Sequence, residues 1–507
     1  MGKELLMAVD LGTSFVKAGI YNLDSECIAL ADEEVKSERP ASGIFIQHGE
    51  ELVQSVLRCI RKVTELVGDR AENVEAIAFT GQMAGFMGVD KDWGDVTGWS
   101  CSLDTRYTPY AEKQMEQMAD KFLAISGTNA PLFSTKYEWF KNDFPQEAER
   151  IAKYMMISGY VIGKLGDVPI EDATMDGSFL AWTGLADIRN RDWSDVICSE
   201  LGVQEKFLPR VSQSNEIVGH LSQASAAATG LKSGIPLISG AGDKIAGCVG
   251  ANILKKGDII FEAASYAGLS CLVDDFCPDF EERYFDVLAG AFPGDMYAHY
   301  YIPGSGISLN WFMDNFARQS GEKLGDAFKR IDVEVEKIQP GCDGLMAVGM
   351  MGGTAMPFDG DLKGVWMGFN WAHTRAHFYR ALQESFSYAV ATAIERIERK
   401  YPDCEKKHVK IIGGGAKSAV WTQMLADVSQ RTFERLNRED IALWGACVLA
   451  ANGIGLADDV KAITAEHVHV KEVYEPRAEL AARYSELRAQ YNRYAKELSP
   501  YCRDLVS

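Results

Sequence analysis

Three glycine-containing turns carry the residue types best suited to chemistry. In the first, Asp10-Leu11-Gly12-Thr13-Ser14, a carboxylate stands beside two hydroxyls and a glycine whose N–H no Cβ obstructs. Such a turn can cradle phosphate oxygens, and its carboxylate can hold Mg²⁺ through water. The same residues would also make a plain hairpin turn, so alone they decide nothing. In the second, Asp243 ends the small-residue run Ser239-Gly240-Ala241-Gly242, which follows the apolar Pro236-Leu237-Ile238. An aspartate exposed there can accept a proton from a hydroxyl, although a surface-turn aspartate is the commoner reason for a Gly-Asp pair. In the third, Gly413-Gly414-Gly415-Ala416 follows Ile411-Ile412 and opens a helical stretch running to Asp427. Three glycines at that point let a flat ligand lie against the backbone. No GxxxxGK[ST] string occurs, and no GxGxxG turn follows a strand and opens a helix, which removes the P-loop and dinucleotide routes.

The elements that must position these turns follow from periodicity. Leu5 to Leu11 and Phe15 to Tyr21 read as two strands joined by the Gly12 turn. Leu52, Val56, Ile60 and Val63 recur at helical spacing up to Gly68, and Val74 to Thr80 is a buried strand. Strand, small-residue turn and strand recur over Gly257 to Ser270, and a long helix follows with Leu382, Phe386, Ala389, Ala393 and Ile397 on one face. Two copies of one plan, about 250 residues apart, predict a duplicated α/β fold. The predicted division is 1–250 and 251–507, with the boundary near Gly250 to Lys256 and a cleft between the copies. The tail from Leu480 through Tyr484, Leu487, Tyr491 and Tyr494 to Leu498 reads as a helix capping the second copy, and it leaves a homodimer open.

Composition narrows the class. The 507 residues are 47% hydrophobic and 24% charged, with a formal net charge of −20. So acidic a chain has no footprint for nucleic acid or an anionic membrane surface. Eleven cysteines without a CxxC pair read as reduced thiols buried as small hydrophobes. No secretory segment or membrane span is read from the sequence, so a cytoplasmic location is expected. His467-Val468-His469 would place two imidazoles on one side of a strand, but no Cys or acidic partner sits at ligand spacing, and a surface loop is expected. The Met350-Met351 pair reads as cleft lining or core.

Taken together these residues resemble the FGGY carbohydrate kinase family, over nearly the whole chain. The marks are Asp10 to Ser14, Thr80-Gly81-Gln82-Met83, Gly242-Asp243, Gly304-Ser305-Gly306 leading to Trp311, Lys363 to Phe369, His373 to Ala381, Gly413 to Asp427 and Ala442-Leu443-Trp444-Gly445-Ala446. Gly81-Gln82-Met83 and the Gly413 string look most like those of xylulose kinases. The resemblance implies two RNase H-like domains of the actin-like ATPase kind, with sugar held mainly by the first and ATP by the second. Carried over by position, Asp243 is the catalytic base, and Asp10 with Asp243 supports Mg²⁺. Gly12, Thr13, Ser14 and Ser265 meet the terminal phosphates. Gly306, Asn310, Gly414, Gly415, Ala416 and Ser418 line the nucleotide. Gln82, Met83, Trp99, Asp104, Arg106 and Asp243 bind the sugar, expected to be a ketopentose such as xylulose.

The departures from the family pattern bear on substrate more than on reaction class. Ala84 stands where xylulose kinases carry a histidine, Lys244 follows the base where Asn or Gln is usual, and Ala263-Ala264-Ser265 replaces Gly-Thr-Ser. Another polyol, ketose or aldonic acid as acceptor, or a weakly active sugar-sensing relative, fits the same motifs. An actin-like or chaperone-like ATPase switch does not need Gln82, Asp104 and Arg106.

Overall fold

The computed structural model describes residues 4–505 apart from 42, 350, 352, 357, 360, 361 and 405–407. The chain opens with β1 (Leu5–Leu11), buried at every position except Asp10, and turns straight back as β2 (Phe15–Asn22). The antiparallel register leaves Gly12 to Ser14 as the connection. β3 (Cys27–Glu34) extends this meander. The helix Gly49–Val67 then buries Leu52, Val56, Ile60 and Val63, and Gly68 terminates it in a positive-φ conformation that favours glycine. The chain re-enters as β4 (Val74–Gly81), and β5 (Ile217–His220) and β6 (Pro236–Ile238) complete a sheet ordered β5-β6-β4-β1-β2-β3. β1, β4 and β6 are parallel, with Asp10 beside Thr80, Leu11 beside Gly81 and Ile238 beside Ala78. Their carboxyl ends therefore open at one edge of the sheet.

A second sheet repeats this six-strand plan and adds one edge strand, Asp286–Ala289, beyond it. β7 (Ile259–Glu262) and β8 (Ala267–Val273) form the antiparallel hairpin, and β9 (Met296–Ile302) extends it. β10 (Val409–Ile412) and β11 (Phe433–Leu436) run parallel to β7, and β12 (Val470–Tyr474) closes antiparallel. These strands follow the order β9-β8-β7-β10-β11-β12, matching β3-β2-β1-β4-β6-β5. The helix Arg375–Lys400 is buried on most sides rather than on a single face. The tail helix Ala481–Asp504 buries Tyr484, Leu487 and Tyr491. It is tied to the Arg375 helix through Arg380, which bonds both Glu384 at 2.9 Å and the Tyr484 hydroxyl at 3.0 Å.

The chain folds into two compact units, each assembled from three segments. One comprises Met1–Leu254, Val287–Tyr297 and Asp440–Val468; the other comprises Lys255–Asp286, Ala298–Glu439 and His469–Ser507. The helix Ile441–Gly453 thus belongs with the first sheet. It is apolar around nearly its whole circumference and packs against the helix Asp243–Gly250. Contact there is backbone on backbone: a Cβ on Gly250 would come within 2.0 Å of the Ile441 carbonyl oxygen, and one on Gly445 within 1.9 Å of that of Ala246. Tyr21 fastens the entry to this helix by donating its hydroxyl to Asp440 at 2.6 Å.

One expectation is corrected. Cys271 of β8 is paired with Cys404, 133 residues away, so the cysteines are not all free thiols; nine others are. The fold, not the spacing, brings a strand and the turn after a long helix together. At His467-Val468-His469 the structure agrees with the expected loop: His467 ends the helix Val460–His467, the following strand begins only at Val470, and the two imidazoles do not share a strand. Met350 lies outside the described residues; Met351 lines an apolar pocket of about 230 Å³ with Trp311, Val348, Trp366, Leu382 and Phe386. Among the described residues no helix is long and apolar enough to cross a membrane.

Candidate active site

The carboxyl edge of β1, β4 and β6 gathers the first unit's expected site residues. Asp10, Gly12 and Thr13 are half-buried, Ser14 is exposed, and Gln82 and Asp243 are half-buried. β4 ends in Gly81, and Gln82 leads into Met83, whose side chain covers the backbone of Gly242: a Cβ on Gly242 would lie 2.3 Å from Met83 Cγ. Met83 therefore packs directly beside the start of the Asp243 helix. Gln82 and Trp99 are joined, the indole N–H donating to Gln82 Oε1 at 3.2 Å. A residue that sequence reasoning missed, Gln47, connects this pair to the turn Gly12 to Ser14. Gln47 is fully buried, donates from Nε2 to the Thr13 carbonyl at 2.7 Å, and accepts at Oε1 from Gln82 Nε2 at 3.4 Å. Its only sequence signal is a polar residue in step with Phe45, where an extended stretch faces the core.

Trp99 to Arg106 form a braced loop. Asp104 is fully buried and accepts from Ser100 Oγ at 2.9 Å, while Arg106 grips it through Nε at 2.9 Å and Nη2 at 2.6 Å. Burial works to raise the Asp104 carboxyl, but the Arg106 hydrogen bonds, the Lys136 charge and Ser100 outweigh it and hold the group below its usual range. Asp104 thus orders the loop and orients Arg106, whose guanidinium lies 4.6 Å over the Trp139 ring. Beneath the loop, Lys136 of the helix Leu132–Asp143 is fully buried. It donates to Ser100 Oγ at 2.6 Å, to the Cys101 carbonyl at 2.8 Å and to the Asp104 carbonyl at 3.2 Å. Burial pushes its ammonium down to about 7, against the pull of Asp104.

Asp243 opens its helix, where a negative side chain is favoured by the exposed amides and the helix dipole. Its Oδ1 accepts the Lys244 N–H at 2.8 Å. The preceding N–H, of Gly242, donates to Ser178 Oγ at 2.9 Å. Ser178 is in turn anchored by the buried Asp176, which accepts the Ser178 N–H at 2.9 Å and the Ser214 hydroxyl at 2.7 Å. Burial raises the Asp176 carboxyl to about 6, opposed by those serines and by Arg191. Ser178 and Asp176 carried no sequence signal, because they hold the backbone leading into Asp243 from more than 60 residues away.

In the second unit the corresponding strand ends converge. The Ala263 carbonyl accepts the Gly415 N–H at 2.8 Å, and the Ala264 carbonyl accepts the Gly306 N–H at 3.2 Å. Gly306 must be glycine here, because a Cβ would fall 2.6 Å from the Ala264 oxygen. Ala263 to Ser265, Gly306 and Gly413 to Ala416 thus form one backbone-lined cluster, with Ser265 and Gly414 exposed and Asn310 half-buried. Ser418 uses its hydroxyl to cap the helix Ala419–Ser429, accepting the Trp421 N–H at 3.1 Å.

Family models give this duplicated, edge-loaded architecture a name. The N-terminal domain of the FGGY family of carbohydrate kinases matches residues 5–250, and the C-terminal domain of the same family matches residues 286–453. The chain belongs to the FGGY family of carbohydrate kinases. It is therefore a sugar kinase, a phosphotransferase that uses ATP. A xylulose kinase of Bacillus subtilis is 26% identical over 491 residues, covering 96% of this chain and 95% of the relative. A gluconokinase of the same organism is 24% identical over 477 residues, covering 90% of this chain and 89% of the relative. The crystal structure of a ligand-bound xylulose kinase from Lactobacillus acidophilus superposes with a TM-score of 0.88 at 19% identity, covering 98% of both chains. That likeness shows the fold, α/β of the actin-like ATPase kind.

Proposed function

We propose that this FGGY kinase transfers the γ-phosphoryl of ATP to a hydroxyl of a ketopentose such as xylulose, with Asp243 as general base. The observation that carries this reading is the gathering of Asp10, Gln82, Met83 and Asp243 at the carboxyl edge of three parallel strands, where α/β sheets bind ligands. Asp243 accepts the acceptor hydroxyl's proton as that oxygen bonds to the γ-phosphorus and the bond to the ADP oxygen breaks. Gln82 and Arg106 supply hydrogen bonds to sugar hydroxyls, Met83 supplies an apolar wall, and the fully buried Trp99 backs Gln82 through its indole N–H. Backbone N–H groups of Gly12 to Ser14 serve the terminal phosphates; Gly306, Asn310 and Gly414 to Ala416 serve the nucleoside. Positioning and charge stabilisation account for most of the acceleration in such reactions.

The implied Mg²⁺ suits the residues present. Asp10 and Asp243 offer hard carboxylate oxygens, and the described residues contain no cluster of three or more His, Cys, Asp or Glu. An ion held by one or two carboxylates takes its remaining ligands from water and phosphate, the ordinary habit of Mg²⁺. When bound, it would neutralise phosphate charge.

An aldonate acceptor is the second reading, favoured by the gluconokinase relative at 24% identity. The test is ADP release across D-xylulose, other ketoses, alditols and gluconate. The proposal requires stimulation by a ketopentose; stimulation by gluconate alone would replace it with the aldonate reading.

A further inference from the structure

We infer that Gln47 is a positioning residue that couples sugar recognition to the geometry of the phosphate turn. The inference rests on the functional reading above, because it takes Gln82 and Trp99 as sugar-side groups and Thr13 as part of the phosphate turn. Its basis is the geometry of one side chain. The Gln47 amide is fully buried and spends both ends on residues of the two sites: the donor on the Thr13 carbonyl, the acceptor on Gln82. Its backbone is equally committed. The Gln47 N–H donates to the Trp99 carbonyl at 3.2 Å, and the Trp99 N–H donates to the Gln47 carbonyl at 2.7 Å. Trp99 then returns to Gln82 through its indole. Gln47, Gln82 and Trp99 thus close a ring of hydrogen bonds, and Thr13 hangs from it.

A mere filler of that space would be apolar. A buried amide is tolerated only when it is hydrogen-bonded, and its partners then fix each other's orientation. A sugar hydroxyl that engages Gln82 fixes the Gln82 amide. That in turn fixes Gln47 and the direction in which the Thr13 carbonyl points, and so the peptide N–H groups on either side of it. Neither end of Gln47 touches a reacting atom, so its effect is on alignment.

The test uses the full chain with Gln47→Glu and Gln47→Leu, measuring ADP release with and without D-xylulose between pH 5.5 and 8. In Gln47→Glu the ionised carboxylate accepts from Gln82 but cannot donate to Thr13, whereas the protonated acid can do both. The ratio of Gln47→Glu to wild-type kcat is expected to rise at least threefold as pH falls across that range. Gln47→Leu is expected to lose at least 10-fold in kcat and to raise KM for D-xylulose at least threefold, at every pH. A flat Gln47→Glu ratio, or Gln47→Leu within twofold of wild type in kcat and KM, overturns the inference. Should Gln47→Leu not fold, the Gln47→Glu ratio decides alone. If D-xylulose fails to stimulate wild-type ADP release, the acceptor reading is what has failed. The Gln47 inference is then judged on sugar-free ADP release, where the Thr13 link alone requires the same rise at low pH.

Discussion

Ser178 Oγ accepts the Gly242 N–H at 2.9 Å, one residue before Asp243. The backbone leading into the proposed general base is therefore held by a serine that is itself held by a buried carboxylate. Ser178→Ala leaves a buried N–H without its acceptor, a cost of about 1–3 kcal/mol that the chain relieves by moving Gly242. A shift of about 1 Å at a base costs up to roughly 10²-fold in rate. We expect kcat to fall roughly 10- to 100-fold with KM for ATP within about threefold, read from steady-state kinetics; an unchanged kcat would separate Ser178 from the base.

Lys136 links pH to stability. Its folded value is about 7, below the ~10.4 of an unfolded lysine, so between those values the unfolded chain carries the proton that the folded chain lacks. Stability therefore rises with pH from about 7 toward 10 and is lost as pH falls back to 7, by on the order of 2 kcal/mol between pH 7 and 9. Urea unfolding of wild type and Lys136→Met at both pH values checks this: the wild-type gain should shrink in the variant.

Gly445→Ala separates two opposing effects. Alanine in a helix interior gains about 1 kcal/mol over glycine, while overpacking costs about 1–3 kcal/mol. A Cβ 1.9 Å from the Ala246 oxygen cannot be relieved by a side-chain rotation, because the obstacle is backbone. The second effect wins, and thermal unfolding should show a net loss of stability.

What was legible in the sequence was local. The hairpin around Gly12 and its counterpart at Ala263 to Ser265 announced themselves through strand runs interrupted by small residues, and so did the duplicated sheet. Asp243 was legible because its run of small residues follows an apolar strand. What was not legible acts through distance. Ile441–Gly453 is apolar nearly all round and so shows no preferred face, and nothing in it says that it returns to Asp243–Gly250. Gln47, Asp176 and Ser178 are polar residues buried by the fold, each defined by partners tens of residues away. Asp104, expected to face the sugar, uses its oxygens on Ser100 and Arg106.

The proposed transfer depends on Asp243 taking the acceptor's proton. The direct measurement is kcat of Asp243→Asn with the best acceptor of the sugar panel, alongside ATP-analogue binding by calorimetry. General bases contribute roughly 10²- to 10⁴-fold, so the predicted result is a loss of at least about 100-fold with analogue affinity within a few-fold of wild type. A variant that keeps more than about a tenth of wild-type turnover would contradict the account.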